Sequence, residues 1–381
     1  MEDRAMARLR GGSPVYDEWM EKEGIPIYRE MTGIEDITEL PRRPWARTGG
    51  LGTFIELEAT RAGWKELYVA EIPPGKALEP ERHLYDELIY VVEGRGLAEV
   101  WQEGSHKVSF EWGEGSIFAI PLNAWHRFVN GGRNRVLIFA QSCAPVAMNL
   151  YRNVEFIFNC DYKFTDRFSG KGDYFAAGKE GRSDASGYRW NTNFVPDVRK
   201  AVLGDFSTKV EAGLGGEFNM VAWSGGVGMS EWPVGRYHKA HFHGAGAILL
   251  GLNSEGYVLL WPKELGIHPY QDGHGDQVVK QPWRKNSIYS PQSGWFHQHL
   301  NTGKEPAAHF RTTGGGIGIM LPTIKQRAMA GKVATMADWA PFRVIEHEDE
   351  DPQIRKDFAE ELKRKGIKLA MNLVTYRPAP L

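Results

Sequence analysis

The chain has 381 residues, more than one core usually serves, and 42% hydrophobic content with 44 glycines and 21 prolines suits a turn-rich, globular, all-β protein rather than a disordered one. Two compact units are therefore expected, and a formal net charge of -2 gives no electrostatic basis for binding nucleic acid or an anionic membrane. Cys143 and Cys160 alone make no disulfide framework, the first eleven residues lack the apolar stretch of a signal peptide, and no apolar run approaches membrane-spanning length. The expectation is a cytoplasmic protein without a membrane or nucleic-acid partner.

Ser13-Pro14 reads as a cap followed by proline in the first helical position, and Gly24 ends the charged stretch, so a short helix over residues 14 to 23 is expected. Residues 25 to 50 read as an extended arm with turns. Short strands follow at Leu67 to Ile72, Leu88 to Val92, Leu97 to Trp101, Ile117 to Ile120 and Val136 to Ala140, with a tight hairpin at Glu93-Gly-Arg-Gly96. Residues 165 to 200, rich in Gly, Ser, Asp and Asn, read as a connector. Near the end, Asp351-Pro352 opens a helix through Ile354, Phe358 and Leu362 to Gly366, and the acidic run Glu346 to Asp351 suits the helix dipole. The segments at 23 to 27 and 365 to 369 echo one another, and each is read as an added strand or cap.

His241, His243 and His297 form the sharpest feature. His241 and His243 are two residues apart, so on a strand they share a face, and a third imidazole from a neighbouring strand completes a metal-binding cap with open positions. His299 has the parity of His297 and is expected to point inward, as an ordinary barrel residue or as an acid or base beside the metal. Arg236 lies next to the site in sequence and is a candidate clamp for a carboxylate. His238, of opposite parity to His241, and His268 and His274 are read as surface residues. Trp232, Tyr237, Phe242, Trp295 and Phe296 crowd the same region, as core or as pocket lining.

The framework occurs twice. Pro73, Gly75, His83, Gly96 and Trp101 fall 160 residues before Pro233, Gly235, His243, Gly256 and Trp261, and Trp112, Ser116, Ile117, His126 and Asn130 fall 171 before Trp283, Ser287, Ile288, His297 and Asn301. The change of register is an insertion of 11 residues within 262 to 275, read as a longer hairpin loop.

Each module resembles a cupin, a small antiparallel β-barrel. Gly75, Glu81, His83, Glu87 and Gly94 occupy the places of the first cupin motif, and Gly115, Pro121, Asn123, His126 and Asn130 those of the second, with Asn123 in a glycine place that needs tolerance of positive φ. In the second module the ligand places hold His241, His243 and His297, and Ala247 stands where the family has its Glu. The resemblance implies an all-β fold of two tandem cupin (jelly-roll) barrels with short flanking helices. Its division is helix and arm at 1–60, barrel one at 61–150, connector at 151–212, barrel two at 213–325 and a C-terminal extension with a helix at 326–381.

It also implies a bicupin metalloenzyme acting on a small molecule. Barrel two offers three neutral imidazoles for a divalent metal, Fe(II) first and Mn(II) or Ni(II) as alternatives, in the manner of ring-cleaving, gentisate-type dioxygenases that use O₂ on a chelating hydroxylated acid or dicarbonyl. Barrel one offers Glu81, His83, Glu87 and His126, either as a second metal site or as a polar cluster. A manganese decarboxylase or oxidase of the oxalate type, and a non-catalytic binding bicupin, are the alternatives, and a homo-oligomer is left open.

Overall fold

The computed structural model describes residues 14–60, 65–176, 181–184, 187–206, 210–242, 247–313 and 343–377. Its elements are predominantly short strands, with helices at Pro14–Lys22, Ala144–Tyr151, Val154–Asn159 and Pro352–Arg364. None of these helices is long and apolar enough to cross a membrane.

The strands form two barrels, each made of a large and a small sheet. In barrel one the large sheet runs Ile27–Glu30, Leu51–Leu57, Glu66–Ile72, Val136–Ser142, Glu87–Glu93, Ile117–Ile120, and the small one Trp125–Val129, Arg95–Trp101, Val108–Gly113. In barrel two the corresponding large sheet runs Gly187–Thr192, Leu214–Met220, Gly226–Trp232, Ala307–Thr313, Ala247–Gly251, Ile288–Tyr289, and the small one includes Val279–Arg284, Glu255–Pro262, Trp295–Asn301 and His241–Phe242.

Alternation along the strands decides what faces what. On Glu66–Ile72, Leu67 and Val69 turn outward onto the other barrel, whereas Tyr68, Ala70 and Ile72 fill their own. Val227 and Met229, Ile248 and Leu250, and Phe310 meet them from barrel two, so the large sheets pack back to back through one apolar seam. Burial on both faces explains why these strands read as near-continuous apolar runs.

The repeat extends further than the sequence showed. Gly33–Ile34 pairs with Tyr289 and Ile288 of barrel two, and Phe194–Val195 pairs with Phe118 and Ile117 of barrel one. Each half therefore lends an arm to the other's sheet, and Asp36 and Asp197 cap equivalent short turns just beyond. The stretch read as a connector thus contains paired strands. Gly96 and Gly256 recur because the six-membered ring of a tryptophan lies on each: a Cβ would meet Trp112 at 2.4 Å in one copy and Trp283 at 2.6 Å in the other.

The inserted loop at 262 to 275 is fastened rather than free, since Asp351 accepts hydrogen bonds from the backbone nitrogens of Tyr270 (2.8 Å) and Gln271 (2.9 Å) as well as capping its own helix through Gln353 N. The acidic run accordingly has buried members: Glu350 accepts from Gln298 Nε2 at 3.1 Å and from the Tyr237 hydroxyl. The echo at 365 to 369 forms no strand, whereas its counterpart leads directly into the strand Ile27–Glu30.

Candidate metal centres

In barrel one, His126 lies on Trp125–Val129, Glu87 begins Glu87–Glu93, and His83 and Glu81 come from the loop before it, with Glu81 bridged to His126 through backbone hydrogen bonds of 3.0 and 2.8 Å. The turn that leads into Trp125–Val129 can form because Asn123 adopts φ 56°, the left-handed value its motif place requires; its counterpart Gly294 has φ 76°. Each imidazole is fixed by its far nitrogen. Nδ1 of His83 donates to Tyr85 O at 2.8 Å and Nδ1 of His126 to Ala124 O at 3.1 Å, a tautomer that leaves a lone pair on each Nε2. Tyr85 also stacks on His83 with ring centroids 3.8 Å apart.

Those two Nε2 atoms and Oε2 of Glu87 converge. His83 Nε2 is 3.5 Å and His126 Nε2 3.8 Å from the Glu87 oxygen, and the three donors lie within 4.8 Å of one another. All three atoms are buried and lack a hydrogen-bond partner among the described residues. Donors about 2.1 Å from a common cation stand roughly 3 to 3.5 Å apart, so two neutral imidazoles and one carboxylate fit a divalent metal with little adjustment. Burial opposes ionisation of Glu87, but the His83 and His126 rings beside it and the hydrogen bond donated by the Tyr68 hydroxyl at 2.6 Å hold its carboxyl below the usual carboxylate range. Burial also pushes His126 down to about 4, keeping the ring neutral.

Barrel two repeats part of this device. His241 and His297 are direct partners across two strands, their rings 4.3 Å apart, and their Nδ1 atoms meet Lys239 O at 3.1 Å and Trp295 O at 3.2 Å. His243 lies outside the described residues. Arg236 ion-pairs with Glu211 at 2.5 Å, which gives it a partner other than a site carboxylate. His299 points inward and its Nδ1 lies 2.9 Å from the Tyr289 hydroxyl, which also reaches His309 Nδ1 at 3.2 Å. The expectation that His238 is a surface residue is wrong: it is buried, 4.5 Å from the Trp232 ring and 5.2 Å from that of His299. Strand parity did not apply, because the regular strand begins only at His241. Tyr237, Phe242 and Phe296 belong to the cluster beneath the helix Pro352–Arg364.

Several polar residues of barrel one escaped the sequence reading. Glu66 and Ser142 stand in one row with the already named Glu87 across three strands, where barrel two has Gly226, Thr313 and Ala247. Glu66 accepts from Ser142 Oγ at 2.6 Å and from the Tyr16 hydroxyl at 3.3 Å, and burial, only partly offset by the Ser142 bond, pushes its carboxyl up to about 7. A glutamate beginning an otherwise apolar strand was the available signal. Nothing local in the sequence marks Tyr16 or Arg47. A polar cleft of about 1120 Å³, lined by Asp36, Glu255, Arg284, Thr302 and Lys365 among others, contains none of these candidate ligands.

Residues 68–140 match the family model described as Cupin domain. No curated protein matches the chain. Solved structures similar to it include two point variants of Bacillus subtilis oxalate decarboxylase, each with TM-score 0.48 and 10% identity over 75% of this chain and 77% of that one. A deletion variant of the same enzyme has TM-score 0.48 and 10% identity over 84% and 89%. Likenesses of that degree say nothing about activity. The matched segment is a cupin domain, and since the second barrel repeats it, the fold is that of a bicupin.

Proposed function

We propose that the protein is a metal-dependent bicupin enzyme whose first barrel holds a divalent cation through His83, Glu87 and His126, acting on a small chelating acid. The observation that supports this is the convergence of three buried donor atoms with no hydrogen-bond partner among the described residues, each imidazole locked in the ligand tautomer.

A bound Mn(II) or Fe(II) would supply Lewis-acid polarisation of a substrate oxygen and one-electron chemistry with O₂. The protein's own residues do the rest. Tyr68 and Tyr85 hold Glu87 and His83 in position, and apolar neighbours such as Phe118, Phe128 and Ala140 exclude water. Glu66, bonded to Tyr16 and Ser142 with the Ser142 strand between it and Glu87, has its carboxyl raised to about 7 by burial and can hold a proton inside the barrel near neutral pH. A donor set of two imidazoles with one carboxylate suits Fe(II) with O₂ and, through its carboxylate, Mn(II), so an oxygenase and a manganese decarboxylase or oxidase are both compatible with this barrel.

An Fe(II) dioxygenase site at His241, His243 and His297 is the second reading, favoured by the opposed, carbonyl-locked His241 and His297. Free Cys143 and Cys160 suit the cytoplasm. The test is metal analysis of protein purified without added metal, alongside His83→Ala and His297→Ala. Metal lost with His83 and retained without His297 supports barrel one; the reverse supports barrel two; protein devoid of metal, and unable to bind Mn(II) or Fe(II), leaves a binding protein.

A further inference from the structure

Glu81 stands in the first ligand place, the one His241 takes in barrel two, yet its carboxylate is outside the convergent set. One oxygen comes to 3.9 Å of His126 Nε2; the other is held by the Arg47 guanidinium. Arg47 comes from the N-terminal arm, with Nε on Glu23 Oε2 at 3.0 Å and its guanidinium 4.7 Å from the Trp45 ring, 5.3 Å from Phe158 and 5.5 Å from Trp19. The side chains of Arg47 and Glu81 are 20% and 16% exposed, against 1 to 3% for His83, Glu87 and His126. The ion pair therefore lies on the solvent side of the buried donors.

We propose that Glu81 is an internal stand-in for a substrate carboxylate, and that Arg47 is the receptor from which an incoming carboxylate displaces it. This rests on the barrel-one metal reading. The exchange is electrically balanced, since one carboxylate replaces another on the same guanidinium and no charge is left buried without a partner. Aromatic faces keep the planar guanidinium oriented and poorly hydrated, the condition in which it discriminates best for a forked anion. Released Glu81, whose other oxygen already faces His126, turns toward the cage as a fourth donor. The spacing selects acids with a second oxygen donor within two or three atoms of the carboxylate, because Glu81 itself spans the distance from Arg47 to the cage.

The test uses the full chain with Mn(II) and oxalate as probes, measuring Mn(II) affinity and stoichiometry by calorimetry and oxalate affinity on the Mn(II)-loaded protein, with melting temperature as the check on folding. Glu81→Gln should leave Mn(II) affinity within about threefold and tighten oxalate about tenfold, because an amide competes poorly for the guanidinium. Arg47→Met, which keeps an apolar side chain among the aromatics, should weaken oxalate roughly 30-fold or more while Mn(II) binds as well or better. If Glu81→Gln instead weakens Mn(II) by about a hundredfold with no gain for oxalate, Glu81 is a fixed ligand and the proposal falls. It falls alone if His83→Ala removes Mn(II) while Arg47→Met leaves oxalate unchanged. If His83→Ala binds Mn(II) as the parent does, the barrel-one reading falls and takes the proposal with it.

Discussion

Replacing His126 with Ala separates a metal ligand from a packing residue. In the metal-free protein the ring makes one hydrogen bond, Nδ1 to Ala124 O at 3.1 Å, and its Nε2 has no described partner, so the substitution removes one bond and leaves a small cavity. That costs about 1 to 2 kcal/mol. With metal the loss is larger, because a cation at a hundred times its dissociation constant stabilises the native state by about 2.7 kcal/mol, roughly 5 to 10 °C in melting temperature for a unit of this size. The parent should show that rise when Mn(II) is added after chelation. His126→Ala should melt slightly lower than the parent without metal and show almost no rise with it. His297→Ala should keep the rise, since the barrel-one donors are untouched. Scanning calorimetry with and without Mn(II) reads all three, and a full Mn(II) response in His126→Ala would refute the reasoning.

Glu66 has a carboxyl raised by burial to about 7, so the folded chain keeps a proton that the unfolded chain gives up above pH 4.5; its stabilising contribution is complete below that pH and lost as pH rises to 7. Glu66→Gln should remove this dependence and exceed the parent by up to about 3 kcal/mol at pH 8, and urea midpoints that differ equally at pH 5 and pH 8 would contradict it. Lys65 is buried at the seam with Nζ on Gln141 Oε1 at 3.2 Å and Thr312 Oγ1 at 3.1 Å, and burial, opposed by Asp86 and Cys143, brings it down to about 7. Here the unfolded chain holds the extra proton between pH 7 and 10.5, so stability from this group rises across that interval. Lys65→Met should stabilise by about 2 to 4 kcal/mol at pH 7 and lose that advantage by pH 10, read again from urea midpoints. Gly256→Ala places a Cβ 2.0 Å from Leu300 O, so the strands must part; a loss of about 3 kcal/mol or more is expected, and an unchanged melting temperature would contradict it.

The repeat was legible because its markers answer local needs that recur in both copies. Gly75 and Gly235 turn at φ 67° and 70°, Gly96 and Gly256 lie under tryptophans, and Asn130 and Asn301 bind the equivalent carbonyls of Asn134 and Glu305. Both terminal helices were legible for the same reason, since caps and apolar spacing are written within a few residues. The candidate ligands, too, could be picked out by spacing. What spacing could not decide was which donors converge, because Glu81 takes a ligand place in sequence but is drawn aside by an arginine 34 residues away. Two-residue strands such as Gly33–Ile34 and Phe194–Val195 carry no pattern of their own and form only because the opposite barrel offers an edge. Local sequence thus determined the turns, the strands and the kinds of donor, whereas charge partners, burial and exchanged arms depend on residues far apart in the chain, and only the folded tertiary structure brings those together.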